Sequence, residues 1–137
     1  IINLGGEGSA VIAMTEADEG VVLYMASGGA AKGVLAAAAL QCLGGHIHGR
    51  LVFRNDAEIG RAERMGISDR EKIYYTNDLA SSENVMFAAT GVTNGTMLKG
   101  VRRYANGAKT HSIVMRSKSG TVRHIEATHN FRRKTNI

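Results

Sequence analysis

No proline and no tryptophan occur in the 137 residues, and Cys42 is the single cysteine. Average usage would place about 5% proline, roughly seven residues, in a chain this long. Every tight turn must therefore be built by Gly, Asn, Asp or Ser, with no ring-locked φ anywhere. A lone cysteine forms no internal disulfide, so a reducing, cytoplasmic setting is expected. The longest apolar run, around Val34–Leu43, falls well short of a membrane span. No signal-peptide pattern is visible, and no membrane partner is expected. What is present is 17 Gly, 44% hydrophobic and 21% charged residues, an ordinary globular composition. The length suits one domain over residues 1–137, able to bury roughly two-thirds of its surface. The chain opens on the apolar pair Ile1-Ile2 without a methionine and reads as a piece of something longer.

Charge is unevenly placed. Residues 1–96 hold seven Lys/Arg and eleven Asp/Glu, a net of −4, whereas residues 97–137 hold ten Lys/Arg against Glu126 alone, a net of +9. Such a basic lobe could meet the phosphates of a small substrate, nucleic acid or an acidic surface on a partner; a solvated face with a basic tail explains it equally. Nucleic acid ranks last, because stacking needs aromatics among the basic residues and only Tyr104 and Phe131 are there.

Apolar runs alternate with helical patterns. Strands are expected at Ile1–Leu4, Val21–Ala26, Gly49–Arg54, Ile73–Tyr75 and Val85–Ala89. Helices are expected at Ala10–Ala17, Ala30–Leu43, Asp56–Met65 and Met97–Val101, with Asn77 or Asp78 capping a further turn. His111–Arg116 and Thr121–Ala127 flank Ser117–Gly120 as a hairpin. Continuous apolar strands separated by helices predict a layered α/β fold, a mostly parallel sheet flanked by helices with a C-terminal antiparallel hairpin.

Three loops share one layout of strand, glycine cluster and helix: Gly5–Ser9, Ser27–Gly33 and Thr90–Gly95. At strand C-terminal ends in open α/β sheets, such loops bring backbone N–H groups and a positive helix end to an anion. The candidate phosphate or sugar-phosphate contacts are Gly5, Gly6, Glu7, Gly28, Gly29, Lys32, Thr90 and Gly91. None of the loops meets the dinucleotide or P-loop spacing, and glycines serving only as left-handed turns remain the competing explanation. His46 and His48 could form half a metal site, but no Cys or acid lies nearby at ligand spacing. Cys42 inside a helix reads as a small buried side chain. Asp56, Glu58 and Glu63 read as surface partners of Arg54, Arg61 and Arg64.

Leu23–Val34 (LYMASGGAAKGV), Gly45–Arg50, Phe87–Val101 (FAATGVTNGTMLKGV) and Thr110–Arg123 (THSIVMRSKSGTVR) together resemble the C-terminal half of class II, GlpX-type fructose-1,6-bisphosphatases. The resemblance runs over essentially the whole chain. It implies the lithium-sensitive sugar phosphatase superfamily, a layered α/β fold, and hydrolysis of the 1-phosphate of fructose 1,6-bisphosphate with Mg²⁺ or Mn²⁺. It also implies that most metal ligands come from an N-terminal half that this chain does not carry.

The sequence departs from the family where the family keeps its acids. The Asp-Gly-Asp loop that meets substrate corresponds to Gly5-Gly6-Glu7. The Gly-Gly-x-Pro-Glu-Gly loop, whose Glu binds metal, corresponds to Gly28–Gly33, with Ala31 for the proline and Lys32 for the Glu. The Asp of Thr-Gly-Val-Thr-Asp-Gly corresponds to Asn94. The expectation is an incomplete, silenced phosphatase domain that still binds phosphate or sugar phosphate, with no metal or other cofactor of its own and no catalytic residue. A missing N-terminal half and a homodimer are the expected protein partners. The rival readings are a non-catalytic scaffold, interaction domain or engineered fold fragment, and then a nucleic-acid binder.

Overall fold

The computed structural model describes Leu23, Met25, residues 27–95 and residues 97–133. The strand expected at Ile1–Leu4, the helix at Ala10–Ala17 and most of Val21–Ala26 lie outside the described residues. The described chain is built from helices and antiparallel sheets.

Helix α1, Ala30–Leu43, forms where alanine dominates and side-chain entropy cost is least. It stops at Gly44, whose φ of 76° only glycine adopts easily, and the N–H groups of Gly44 and Gly45 both return to the Leu40 carbonyl. A short strand β1, His48–Arg50, pairs antiparallel with β2, Ile73–Tyr75, so that His48 faces Tyr75. Between them α2, Asp56–Arg64, starts where the Asn55 side chain accepts from the Glu58 N–H at 3.0 Å. The one-turn α3, Thr76–Leu79, follows β2 directly, and Asp78 accepts from the Tyr75 N–H at 2.8 Å. Buried Thr76 ties this turn back to the chain before β1 by accepting from the Ile47 N–H at 3.0 Å.

The main sheet is centred on β5, Gly107–Arg116. One edge of β5 pairs along its whole length with β6, Thr121–Asn130. The other edge is shared between β3, Met86–Thr90, and β4, Arg102–Tyr104. The C-terminal hairpin is present as expected, closed by a 3₁₀ turn at Ser117–Ser119 and by Gly120 at φ 57°. The mostly parallel sheet is not: each strand pairing among the described residues is antiparallel. Val85–Ala89 reads as a parallel-type apolar run because its alanines hide an alternation; Phe87 and Ala89 are half-buried while Met86 and Ala88 are exposed. Met97–Val101 is likewise not helical at the described positions, but closes a turn held by close backbone approaches.

Antiparallel partners share a face. Phe87 opposite Met115 and Ala89 opposite Ile113 turn toward α1 and join Ala39, Leu40, Cys42 and Leu98 in the core. The other face carries Met86, Ala88, Arg123 and Ile125, all exposed. Cys42 donates to the Val85 carbonyl at 3.5 Å and Gln41 to the Ser82 carbonyl at 2.6 Å, which fixes the C-terminal end of α1 beside the start of β3. No helix among the described residues is long and apolar enough to cross a membrane.

Candidate phosphate-binding turns

The structure separates the glycine loops by what their glycines do. Gly29, the N-cap of α1, has φ −67° and ψ 141°, ordinary for any residue, and a Cβ built on it meets none of the described residues within 4 Å. The same is true of the space around Gly33. Among the described residues, neither a left-handed turn nor crowding accounts for glycine at these places. Among the described residues no side chain caps the helix, and its first turn holds no acidic residue. The leading N–H groups of an α-helix have no intrahelical carbonyl to meet, and the macrodipole adds a partial positive charge. Lys32 lies in that turn, with its N–H donating to the Gly29 carbonyl at 2.9 Å. Gly28, Gly29 and Lys32 are thus brought together and exposed.

Gly91 is the opposite case. A Cβ there would collide with the Lys99 carbonyl oxygen and come within 3.0 Å of Leu98 Cβ, so packing within its own turn requires glycine. Thr90 ends β3, and its hydroxyl bonds the Ser112 hydroxyl at 2.8 Å. The turn after it is cross-tied: Gly91 N–H to the His111 carbonyl (3.0 Å), Val101 N–H to the Val92 carbonyl (3.1 Å), and Gly100 N–H to Asn94 Oδ1 (2.8 Å). An amide at position 94 therefore keeps an acceptor that a carboxylate would also supply, without its charge.

Gly5, Gly6 and Glu7 lie outside the described residues. His46 and His48 are exposed, and both line a recess of about 280 Å³ with Gln41, Tyr75, Thr76 and Asn77. The His48 ring meets Tyr75 edge-on at 4.7 Å. Among the described residues no three His, Cys, Asp or Glu side chains gather as a metal site. Cys42 is buried, and burial pushes its thiol up from the ordinary value, which keeps it protonated and unreactive at neutral pH. Glu58 bonds Arg54 at 2.6 Å and Glu63 bonds Arg70 at 2.7 Å, surface pairs both.

A cluster that sequence reading dispersed is gathered beside the Gly91 turn. Lys99 Nζ meets Glu126 at 2.6 Å, the Lys99 N–H donates to His111 Nδ1 at 3.1 Å, and the His111 and His124 rings lie 5.6 Å apart. The hydrogen bond from Lys99 holds the Glu126 carboxyl below its usual value, aided by the same ammonium's charge. The contribution of this exposed pair is complete above the ordinary carboxylate range and is lost as pH falls through the lowered value. The available signal was alternation along β5 and β6, which places His111 opposite Glu126 once the hairpin register is set.

Known proteins resemble this chain over nearly its whole length. A family model described as bacterial fructose-1,6-bisphosphatase, glpX-encoded, matches residues 2–129. The D-fructose 1,6-bisphosphatase class 2/sedoheptulose 1,7-bisphosphatase of Synechococcus elongatus is 38% identical over 138 residues, covering 92% of this chain and 40% of its own. The protein of the same name from Crocosphaera subtropica is 38% identical, covering 90% of this chain and 39% of its own. The chain thus spans about two-fifths of the length of these curated relatives.

Proposed function

Since this chain belongs to the glpX-encoded bacterial fructose-1,6-bisphosphatase family, we propose that it binds a phosphate group of a sugar bisphosphate at the N-terminal turn of α1 and does not hydrolyse it unaided. The relatives' names specify two sugar bisphosphates, fructose 1,6-bisphosphate and sedoheptulose 1,7-bisphosphate, so the common recognised group is a phosphate on a sugar chain. The observation that carries the reading is a helix start that, among the described residues, has no side-chain cap, no acid in its first turn and no atom within 4 Å of a Cβ built on Gly29, with Lys32 in that turn. A phosphate dianion placed there meets N–H donors, the helix dipole and an ammonium together.

The divalent metal of the family does not fit the residues described. Metal-assisted phosphoryl transfer needs hard anionic oxygens. The α1 turn offers a cation where the family has its Glu, and among the described residues no acidic cluster replaces it. The silenced reading rests on that mismatch. A nucleic-acid role has less support, since Tyr104 and Phe131 are the only aromatics among the basic residues of 97–137.

Fructose 1,6-bisphosphate at about a hundred times its Kd should stabilise the fold by about 2.7 kcal/mol and raise Tm accordingly. With Mn²⁺ and the same sugar, phosphate release should stay at the no-protein level. Release clearly above it would sink the silenced reading; an unmoved Tm at millimolar ligand would sink the binding one.

A further inference from the structure

We propose that His111 is a positioning residue: a proton-controlled latch on the turn from Gly91 to Gly100. One residue of β5 holds both legs of that turn. Its carbonyl accepts from the Gly91 N–H at 3.0 Å, and its ring Nδ1 accepts from the Lys99 N–H at 3.1 Å. Between these two anchors the legs touch, the Lys99 carbonyl lying where a side chain on Gly91 would have to go. Because a backbone N–H can only donate, Nδ1 carries no proton in this arrangement, and a neutral ring has its hydrogen on Nε2.

A second proton on the ring goes to Nδ1 and turns the acceptor into a donor. The Lys99 N–H then faces another N–H, and the hydrogen bond is lost. The charged groups around the ring set the consequence. From the turn comes the Lys99 ammonium, and from β6 come Glu126, directly opposite His111, and the His124 ring. Lys109 lies along β5 itself, with Arg102 of β4 opposite it. Glu126 is the one anion in this set, and it is engaged by Lys99. An imidazolium at position 111 is drawn to the same carboxylate, so Lys99 loses its backbone anchor and shares its side-chain partner in the same event. The Lys99 leg then loses its tie to the β5 side chain, while the Gly91 backbone bond and the cross-ties of Gly100 to Asn94 and of Val101 to Val92 remain. The functional meaning rests on the proposed function, because Thr90 and Gly91 are its candidate contacts; the latch itself does not require a ligand.

The test is amide hydrogen exchange and NMR of the ligand-free chain from about pH 8 to about pH 5.5, the range in which imidazoles take up protons, corrected for intrinsic exchange rates. In the wild type, protection of the Lys99 amide should fall about five- to tenfold as the His111 ring titrates, the loss expected of one hydrogen bond. In His111→Asn, whose Oδ1 takes the place of Nδ1 and cannot be protonated, protection should stay high across the range. In His111→Ala it should be low throughout. Protection at Ile113, in the core on the same strand, should be alike in all three and reports an intact fold. Lys99 protection that is flat with pH in the wild type, or that falls equally in His111→Asn, overturns the latch. A parallel series with fructose 1,6-bisphosphate separates the two claims. If no ligand effect appears at any pH while Lys99 follows His111, the binding reading fails and the latch stands.

Discussion

Met115→Ala is expected to cost about 2–5 kcal/mol of unfolding free energy, the range for removing a large unbranched or branched aliphatic side chain from a core. Met115 is 0% exposed and is the largest fully buried side chain among the described residues. It sits on the central strand, opposite Phe87 of β3 and Val122 of β6, under the α1 residues Ala39, Leu40 and Cys42. Of the helix residues over it, Ala39 has little side chain to give, and Met115 sits on the central strand of the sheet, so a cavity there fills only in part. A domain of ordinary stability holds about 5–15 kcal/mol, so the loss is a large fraction of the total. Thermal unfolding should show Tm lowered by about 6–15 °C. A drop of only a degree or two would mean that the helix does not pack on the sheet at this point.

The second large effect is Gly91→Ala. The methyl group would overlap the Lys99 carbonyl and press on Leu98 Cβ, both fixed by the turn's cross-ties. Overpacking against backbone costs about 1–3 kcal/mol, and the strain falls on the turn that carries the candidate contacts Thr90 and Gly91. Loss of stability should therefore come with weakened sugar-phosphate binding. Gly33→Ala is the matched contrast. That glycine lies inside α1 with none of the described residues within 4 Å of a Cβ built on it, so alanine there should stabilise by about 0.5–1 kcal/mol through helix propensity. Denaturant melts of the two variants should move in opposite directions; movement in the same direction would contradict the division between a glycine needed for packing and one that is not.

Local structure was legible where the signal is local. Ala30–Leu43 and Ile73–Tyr75 occur as expected, α2 ends one residue before the expected Met65, and the Ser117–Gly120 turn joins the hairpin. Each of these depends on a propensity, a glycine stop or an alternation that a short window contains. Strand direction depends on which distant run becomes the neighbour, and an apolar pentapeptide such as Met86–Thr90 carries no mark of it. The strand β4, Arg102–Tyr104, meets β5 through the two-residue turn Ala105-Asn106, and its exposed, charged sequence shows none of the apolar alternation that marks a strand.

The candidate site was half legible. Gly28, Gly29 and Lys32 could be grouped by spacing alone, and the α1 start does bring them together. Sequence could not say that none of the described residues crowds Gly29 while Gly91 is filled by Lys99, since both read as glycine after a strand. His111, His124 and Glu126 appeared scattered because their proximity is created by pairing two ten-residue strands in one register.

Central to the proposed function is Lys32, a cation that holds phosphate where the family has a metal-binding Glu. Isothermal titration of fructose 1,6-bisphosphate into the wild-type chain and into Lys32→Glu, without metal, tests this most directly. Saturable binding by the wild type, weakened at least tenfold in Lys32→Glu at unchanged Tm, is the predicted result. Equal heats from the two proteins, or none from the wild type, would contradict it.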